Sequence, residues 1–221
     1  MSTGSALVVW GGWKGHEPEQ VAALHAGVLR EKGFAVEVSN TLDAFLDGER
    51  LKRLDLIVPL WTGGEIKKEQ VGPVRAAVES GVGLAGCHGG MCDAFRTDTG
   101  WQFMTGGQWV AHPGNDKVTY PVRITNREHV ITRGIPDFEV TSEQYYLHVD
   151  PANKVLAVTP FPIAPGPHTP NGPVDMPVAW TRLWGAGRVF YSSLGHVEKT
   201  ARQKEVLEIQ TRGMLWAAKR L

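Results

Sequence analysis

The chain has 221 residues, 42% of them hydrophobic and 21% charged, which suits one globular domain with a sizeable core. Its 23 lysines and arginines balance its 23 aspartates and glutamates, so it lacks the bulk attraction to phosphate that nucleic-acid binding exploits. No apolar run reaches the about 18 residues of a membrane span, and the two cysteines are too few for a disulfide scaffold. The first residues carry neither a basic segment nor a long apolar stretch, so no secretory leader is expected. The expectation is a cytoplasmic, reduced, single domain over 1–221, without nucleic acid or membrane as partner. Where 26 glycines, 14 prolines, 8 tryptophans and 8 histidines fall then carries the argument.

The first third alternates between strands and helices. Residues 6–10 read as a strand, followed by the turn Gly11-Gly12-Trp13-Lys14-Gly15-His16. Residues 17–32 read as a helix, with Val21, Leu24, Val28 and Leu29 on one face, Glu17 and Pro18 in the first turn and Gly33 as the stop. A second strand at 34–38 and a short helix around 41–50 precede the apolar run 54–60, which fits a strand buried on both faces. After Trp61-Thr62-Gly63-Gly64 comes a helix ending before Gly81, its start delayed or its axis kinked by Pro73. Residues 82–86 form the fourth strand, and Cys87-His88-Gly89-Gly90 turns into a helix from about 91. Four successive strand–turn–helix units predict a doubly wound, mainly parallel sheet in a three-layer α/β/α arrangement.

Residues 98–117, with Trp101, Phe103, Trp109 and His112-Pro113-Gly114, interrupt this pattern and read as a long functional loop. Strands follow at 118–125 and 155–159. If 143–150 is extended, Gln144, Tyr146, His148 and Asp150 share one face, and Glu143 and Tyr145 the other. Seven prolines between 160 and 177 mark either a surface excursion or a loop closing over a site. Strands at 177–183 and 187–194, the turn Gly195-His196 and a helix over about 199–219 complete the chain.

Ligands of open parallel sheets bind at the carboxyl ends of the strands. Three such ends carry a histidine here: His16, His88 and His196. One histidine alone is more often structural, but three at one end of a sheet suggest a shared site for proton transfer or metal binding. Gly86-Cys87-His88-Gly89-Gly90 has the frame of a strand-to-helix elbow with His88 at its centre, so Cys87 should point into the core and Cys92 should be packing. Gly81-Val82-Gly83-Leu84-Ala85-Gly86 precedes and fills a strand, so it fails as a dinucleotide fingerprint. Trp13, Trp61, Trp101 and Trp109 lie in loops or strand ends, where they suit sugar stacking or an oligomer interface. Trp184 and Trp216 are further interface candidates for a homo-oligomer.

Several segments together resemble the ThuA-like (trehalose utilisation) family, within the flavodoxin-like, class I glutamine amidotransferase-like fold. They are Gly15-His16-Glu17, Gly83-Leu84-Ala85-Gly86-Cys87-His88-Gly89-Gly90, Gly106-Gly107-Gln108-Trp109-Val110-Ala111-His112-Pro113-Gly114, Glu143-Gln144-Tyr145-Tyr146 and the stretch from Gly187 to His196. Glutamine amidotransferases of this fold carry cysteine at the elbow centre and a late His-x-Glu. This chain keeps His196-Val197-Glu198 but has His88 at the elbow, so no thiolate stands ready and glutaminase activity is not expected. The resemblance implies a small carbohydrate ligand, a trehalose-like glucoside or 3-keto sugar, and acid–base chemistry by His88, His196, Glu143 and His16. Trp13, Trp109, His112, Tyr145 and His148 would shape the pocket. A divalent metal, zinc or manganese, could be held by His16, His88, His148 and His196 with Glu143, although their spacing specifies no geometry. The alternative is a non-catalytic sugar-binding partner of a sugar oxidoreductase, which would show an exposed apolar patch instead of a pocket. An amidotransferase-like hydrolase is a weaker alternative.

Overall fold

The computed structural model describes residues 3–221. In β1 (Gly4–Gly12), Ala6 and Val8 point to one side of the sheet, Leu7 and Val9 to the other, and all four are buried. That strand therefore needs helices on both its faces. The chain continues through α1 (Pro18–Glu31), β2 (Phe34–Ser39), the single turn α2 (Gly48–Leu51), β3 (Leu56–Thr62), α3 (Lys68–Ser80) and β4 (Gly83–Cys87). It goes on through α4 (Gly89–Cys92), α5 (Thr99–Thr105), β5 (Gly107–Ala111), β6 (Val118–Ile124), β7 (Phe138–Ser142) and β8 (Tyr146–Val149). Then come β9 (Lys154–Phe161), β10 (Val174–Trp184), β11 (Gly187–Ser192), α6 (Glu198–Ala201) and α7 (Lys204–Ala217).

The sheet runs β2-β1-β3-β4-β11-β10-β9-β6-β7. The first five strands are parallel and form the doubly wound half, in the flavodoxin-like order. The last four extend it by antiparallel pairing, and β5 pairs with β8 in a separate ribbon. Helices α1 and α7 cover the Ala6/Val8 face, and α3 and α5 cover the Leu7/Val9 face. Among the described residues, no helix is long and apolar enough to cross a membrane.

Several local expectations are corrected. Helix α3 starts at Lys68 and runs through Pro73, which therefore does not delay it. The stretch 98–117 is no continuous loop, because it contains α5 and β5. Trp101 belongs to the core, 1% exposed, with its indole N–H donating to the carbonyl of Met91 at 2.9 Å. Pro160 and Pro177 lie within β9 and β10, and the register shift beside Pro177 accommodates its missing N–H. The residues between those strands border a separate cavity of about 330 Å³ and do not close over the histidines. The carboxyl-terminal helix is divided into α6 and α7.

One irregularity positions the site. The β3–β4 pairing covers only Leu56–Gly83 and Ile57–Leu84, ending two residues before Pro59, which has no N–H to offer. Past that point the strands part, and the elbow after β4 fits into the gap. A Cβ on Gly90 would lie 2.7 Å from the Cα of Leu60, so only glycine allows this approach.

Candidate active site

The parallel order reverses direction between β1 and β3, and ligands of such sheets bind at that switch point. The turn after β1 delivers Trp13 and His16, and the end of β3 delivers Thr62. His88 stands at the elbow with φ 48° and ψ −138°, a conformation that costs on the order of 1–3 kcal/mol in a non-glycine residue. Three hydrogen bonds hold it there: its N–H donates to the Ser192 carbonyl at 2.7 Å, its ring Nδ1 lies 2.8 Å from the Ser193 carbonyl, and Tyr191 Oη donates to its carbonyl at 3.0 Å. His196 follows β11. Glu143 sits between β7 and β8, where Tyr120 Oη donates to its carbonyl at 3.1 Å. The adjacent Gln144, buried, donates to Thr159 Oγ1 and the Pro160 carbonyl and accepts from the Ile163 N–H.

These elements bring His16, His88, Glu143 and His196 together, with one ligand atom from each lying within 4.8 Å of all the others. Glu143 Oε2 is 3.1 Å from His88 Nε2 and 3.7 Å from His16 Nε2, and Oε1 is 3.5 Å from His196 Nε2. The Nδ1 atoms of two rings are occupied on the outside, His88 by the Ser193 carbonyl and His16 by Thr62 Oγ1 at 2.9 Å. Their Nε2 atoms therefore face inward.

The protonation pattern follows. A carbonyl only accepts, so His88 Nδ1 carries the proton and the Nε2 of the neutral ring is a lone pair. Burial pushes His88 down to about 4 despite the neighbouring carboxylate, and burial also lowers His196. Burial opposes ionisation of Glu143, but its surroundings, the hydrogen bond with His16 foremost, outweigh it and hold the carboxyl well below its usual range. A lone pair thus faces an ionised carboxylate at 3.1 Å, an arrangement that calls for a cation between them. A proton or a metal ion would serve. Tetrahedral coordination at about 2.1 Å places ligand atoms about 3.4 Å apart, close to the 3.1–3.7 Å between Glu143 and the three histidines.

His16 and Glu143 of the cluster line an open cleft of about 820 Å³, while His88 and His196 border a small hollow that also reaches His16. Trp13, 66% exposed, and Trp109 lie along the walls of the cleft. His112 Nδ1 accepts from Trp109 Nε1 at 3.2 Å and lies 3.5 Å from Glu143 Oε2, which leaves its protonated Nε2 free to donate. Tyr145 is buried behind the cluster and stacks on His88 with ring centroids 4.1 Å apart. His148 is the exception among the expected residues. Its side chain is exposed on β8 opposite Gln108, bordering a different surface hollow.

Sequence reasoning assigned no role to Thr62, Asp93, Arg96 or Ser193, whose positions only the fold reveals. The late His-x-Glu is also rearranged. Glu198 pairs with Arg202, while His196 faces Glu143. Cys87 is buried behind the elbow, and burial pushes its thiol up to about 12, so it offers no thiolate. Trp184 and Trp216 are half-buried, the first against Phe103 and the second beneath Arg188.

Comparison with known proteins agrees with this architecture. A ThuA-like protein from Bacteroides uniformis superposes with a TM-score of 0.78 at 18% identity, covering 97% of this chain and 91% of that one. One from Parabacteroides merdae gives 0.75 at 16% identity over 98% and 90%. A β-galactosidase from Bacillus circulans matches at 0.63 and 10% identity, with 97% of this chain covering 30% of that enzyme. At these identities the likeness concerns the fold alone. Among curated proteins, none matches the chain. The family model of ThuA, described as trehalose utilisation, matches residues 5–217, and the chain therefore belongs to the ThuA family.

Proposed function

We propose that this protein is a carbohydrate-acting enzyme that binds a divalent cation, zinc or manganese, at His16, His88, Glu143 and His196. The observation that carries this reading is the outward anchoring of two imidazoles, His88 on the Ser193 carbonyl and His16 on Thr62, with both Nε2 atoms turned toward one carboxylate. Histidine ligands of metals are oriented this way, through a hydrogen bond on the nitrogen that does not bind the ion. Such a cation would supply Lewis-acid polarisation of a sugar oxygen. The aromatic walls Trp13 and Trp109 suit the C–H face of a sugar ring. His112, with its Nε2 proton free, is placed to donate to a leaving or carbonyl oxygen. Trehalose utilisation, the description of the family, agrees with a small glucoside or keto sugar as substrate.

The test combines metal analysis with turnover. Purified protein should carry close to one equivalent of zinc or manganese by plasma mass spectrometry. Glu143→Gln and His88→Ala should lose most of it, and the metal-loaded wild type should convert trehalose, a glucoside or a 3-keto glucoside. A protein that takes up neither ion under titration defeats the metal assignment. Sugar binding without any turnover would instead favour an accessory partner of an oxidoreductase.

A further inference from the structure

The cleft contains a second ordered array, apart from the histidine cluster, at Asp93, Arg96 and Trp109. Among the described residues lining the cleft, Arg96 is the only arginine or lysine, alongside the carboxylates of Glu65, Asp93 and Glu143. Its guanidinium is held on two sides. Nε and Nη2 donate to the two oxygens of Asp93 at 2.6 and 3.0 Å, and the guanidinium carbon lies 4.4 Å from the centroid of the Trp109 ring. The backbone beneath is pinned as well. Gly63 N–H donates to the Asp93 carbonyl at 2.8 Å, Phe95 N–H donates to the Gly63 carbonyl at 3.2 Å, and the buried Phe95 adopts φ 49°. Left-handed backbone at a bulky aromatic is costly and is retained where the surroundings impose it, frequently beside functional groups.

This arrangement has a chemical consequence. An arginine that recognises phosphate presents its fork to the ligand, but here Asp93 occupies two of the three nitrogens and neutralises the charge. Nη1 has no partner among the described residues and can donate directionally, with little net charge behind it. With a divalent cation in the histidine cluster, the three carboxylates of the cleft would be balanced by that cation and Arg96 together, which leaves no surplus for an anionic ligand.

We infer that Arg96 is a specificity-determining residue that donates from Nη1 to hydroxyls of a neutral sugar resting on Trp109, and that the cleft discriminates against phosphorylated sugars. This inference rests on the reading of the cleft as a sugar site and adds the substrate class.

The experiment titrates metal-loaded wild type, Arg96→Gln and Arg96→Ala with trehalose and with trehalose 6-phosphate by calorimetry, and measures metal content and melting temperature on every sample. In the wild type, trehalose should bind at least about tenfold more tightly than its phosphate. Either substitution should weaken trehalose binding by about tenfold or more, the scale of one hydrogen bond from a charged donor. Metal content should stay unchanged. Equal or tighter binding of trehalose 6-phosphate overturns the inference while leaving the sugar site intact, as does undiminished trehalose binding by a folded Arg96→Gln. If the wild type binds neither sugar, the sugar-site reading itself falls, and this inference with it.

Discussion

The hydrogen bond between His16 Nδ1 and Thr62 Oγ1 provides a direct test of the proposed metal site, since Thr62 orients a ligand without being one itself. Valine is nearly the same size as threonine and removes only the hydroxyl. Thr62 is 5% exposed and the His16 side chain 11%, so water cannot easily replace the lost partner. An unpartnered buried polar group costs about 1–3 kcal/mol. Removal of an outer partner from a metal-binding histidine lowers metal affinity about 10–100-fold, which corresponds to about 1.4–2.7 kcal/mol. The two routes agree. We therefore expect Thr62→Val to bind zinc about 10–100-fold more weakly than wild type in competition with a chromophoric chelator. Thr62→Ser, which keeps the hydroxyl, should stay within a few-fold of wild type. Zinc binding by Thr62→Val that matches wild type would refute the reasoning, and so would an equal loss in both variants, because then the hydroxyl is not what orients His16.

Three further outcomes follow from the geometry. Gly90→Ala forces a Cβ to within 2.7 Å of the Leu60 backbone and should lose about 1–3 kcal/mol in chemical denaturation, whereas Gly27→Ala, in α1 with open space around it, should gain about 0.5–1 kcal/mol. Equal effects at both glycines would contradict the wedge of the elbow against β3. Tyr120→Phe removes the donor to the Glu143 carbonyl and should cost about 1 kcal/mol, while Tyr145→Phe removes a buried hydroxyl without a partner and should be neutral or stabilising by the same assay. Burial lowers the pKa of His25 beneath its ordinary 6.5, so the unfolded chain binds a proton that the fold does not. Stability should therefore be fully present above about 6.5 and decline as the pH falls below it. A denaturation series in His25→Gln should show a shallower decline, and an unchanged slope would remove His25 from the account.

The doubly wound half of this protein was legible because each step leaves a local mark in the chain. Continuous apolar runs such as 54–60 announce strands buried on both faces, and Gly33 and Gly81 mark helix ends. Gly86-Cys87-His88-Gly89-Gly90 identified the elbow and its central residue, and Cys87 is indeed the buried neighbour. The rule that ligands sit at carboxyl ends of parallel strands then brought His16, His88 and His196 to one place. Less was legible in the middle of the chain. Residues 98–117 read as a loop because α5 is only seven residues long and β5 only five, too short for periodicity to register.

Alternation along 143–150 put Glu143 and Tyr145 on one face and His148 on the other, but it could not tell that the first face meets the site, where Tyr145 stacks on His88, and that His148 is exposed beyond it. Strand period tells which residues share a face, not what that face meets. Which nitrogen of each imidazole points inward depends on Thr62 and Ser193, which lie 46 and 105 residues away from the histidines they orient. The Asp93–Arg96 fork is local in sequence, yet its meaning depends on Trp109 lying across it and on the backbone of Gly63 beneath it. Residue type and spacing determined the sheet and the ends of its strands, because hydrophobic period and turn chemistry act over a few residues. The direction of each functional group was decided by contacts between distant segments, because a hydrogen bond orients a side chain only once the fold has brought its partner within about 3 Å.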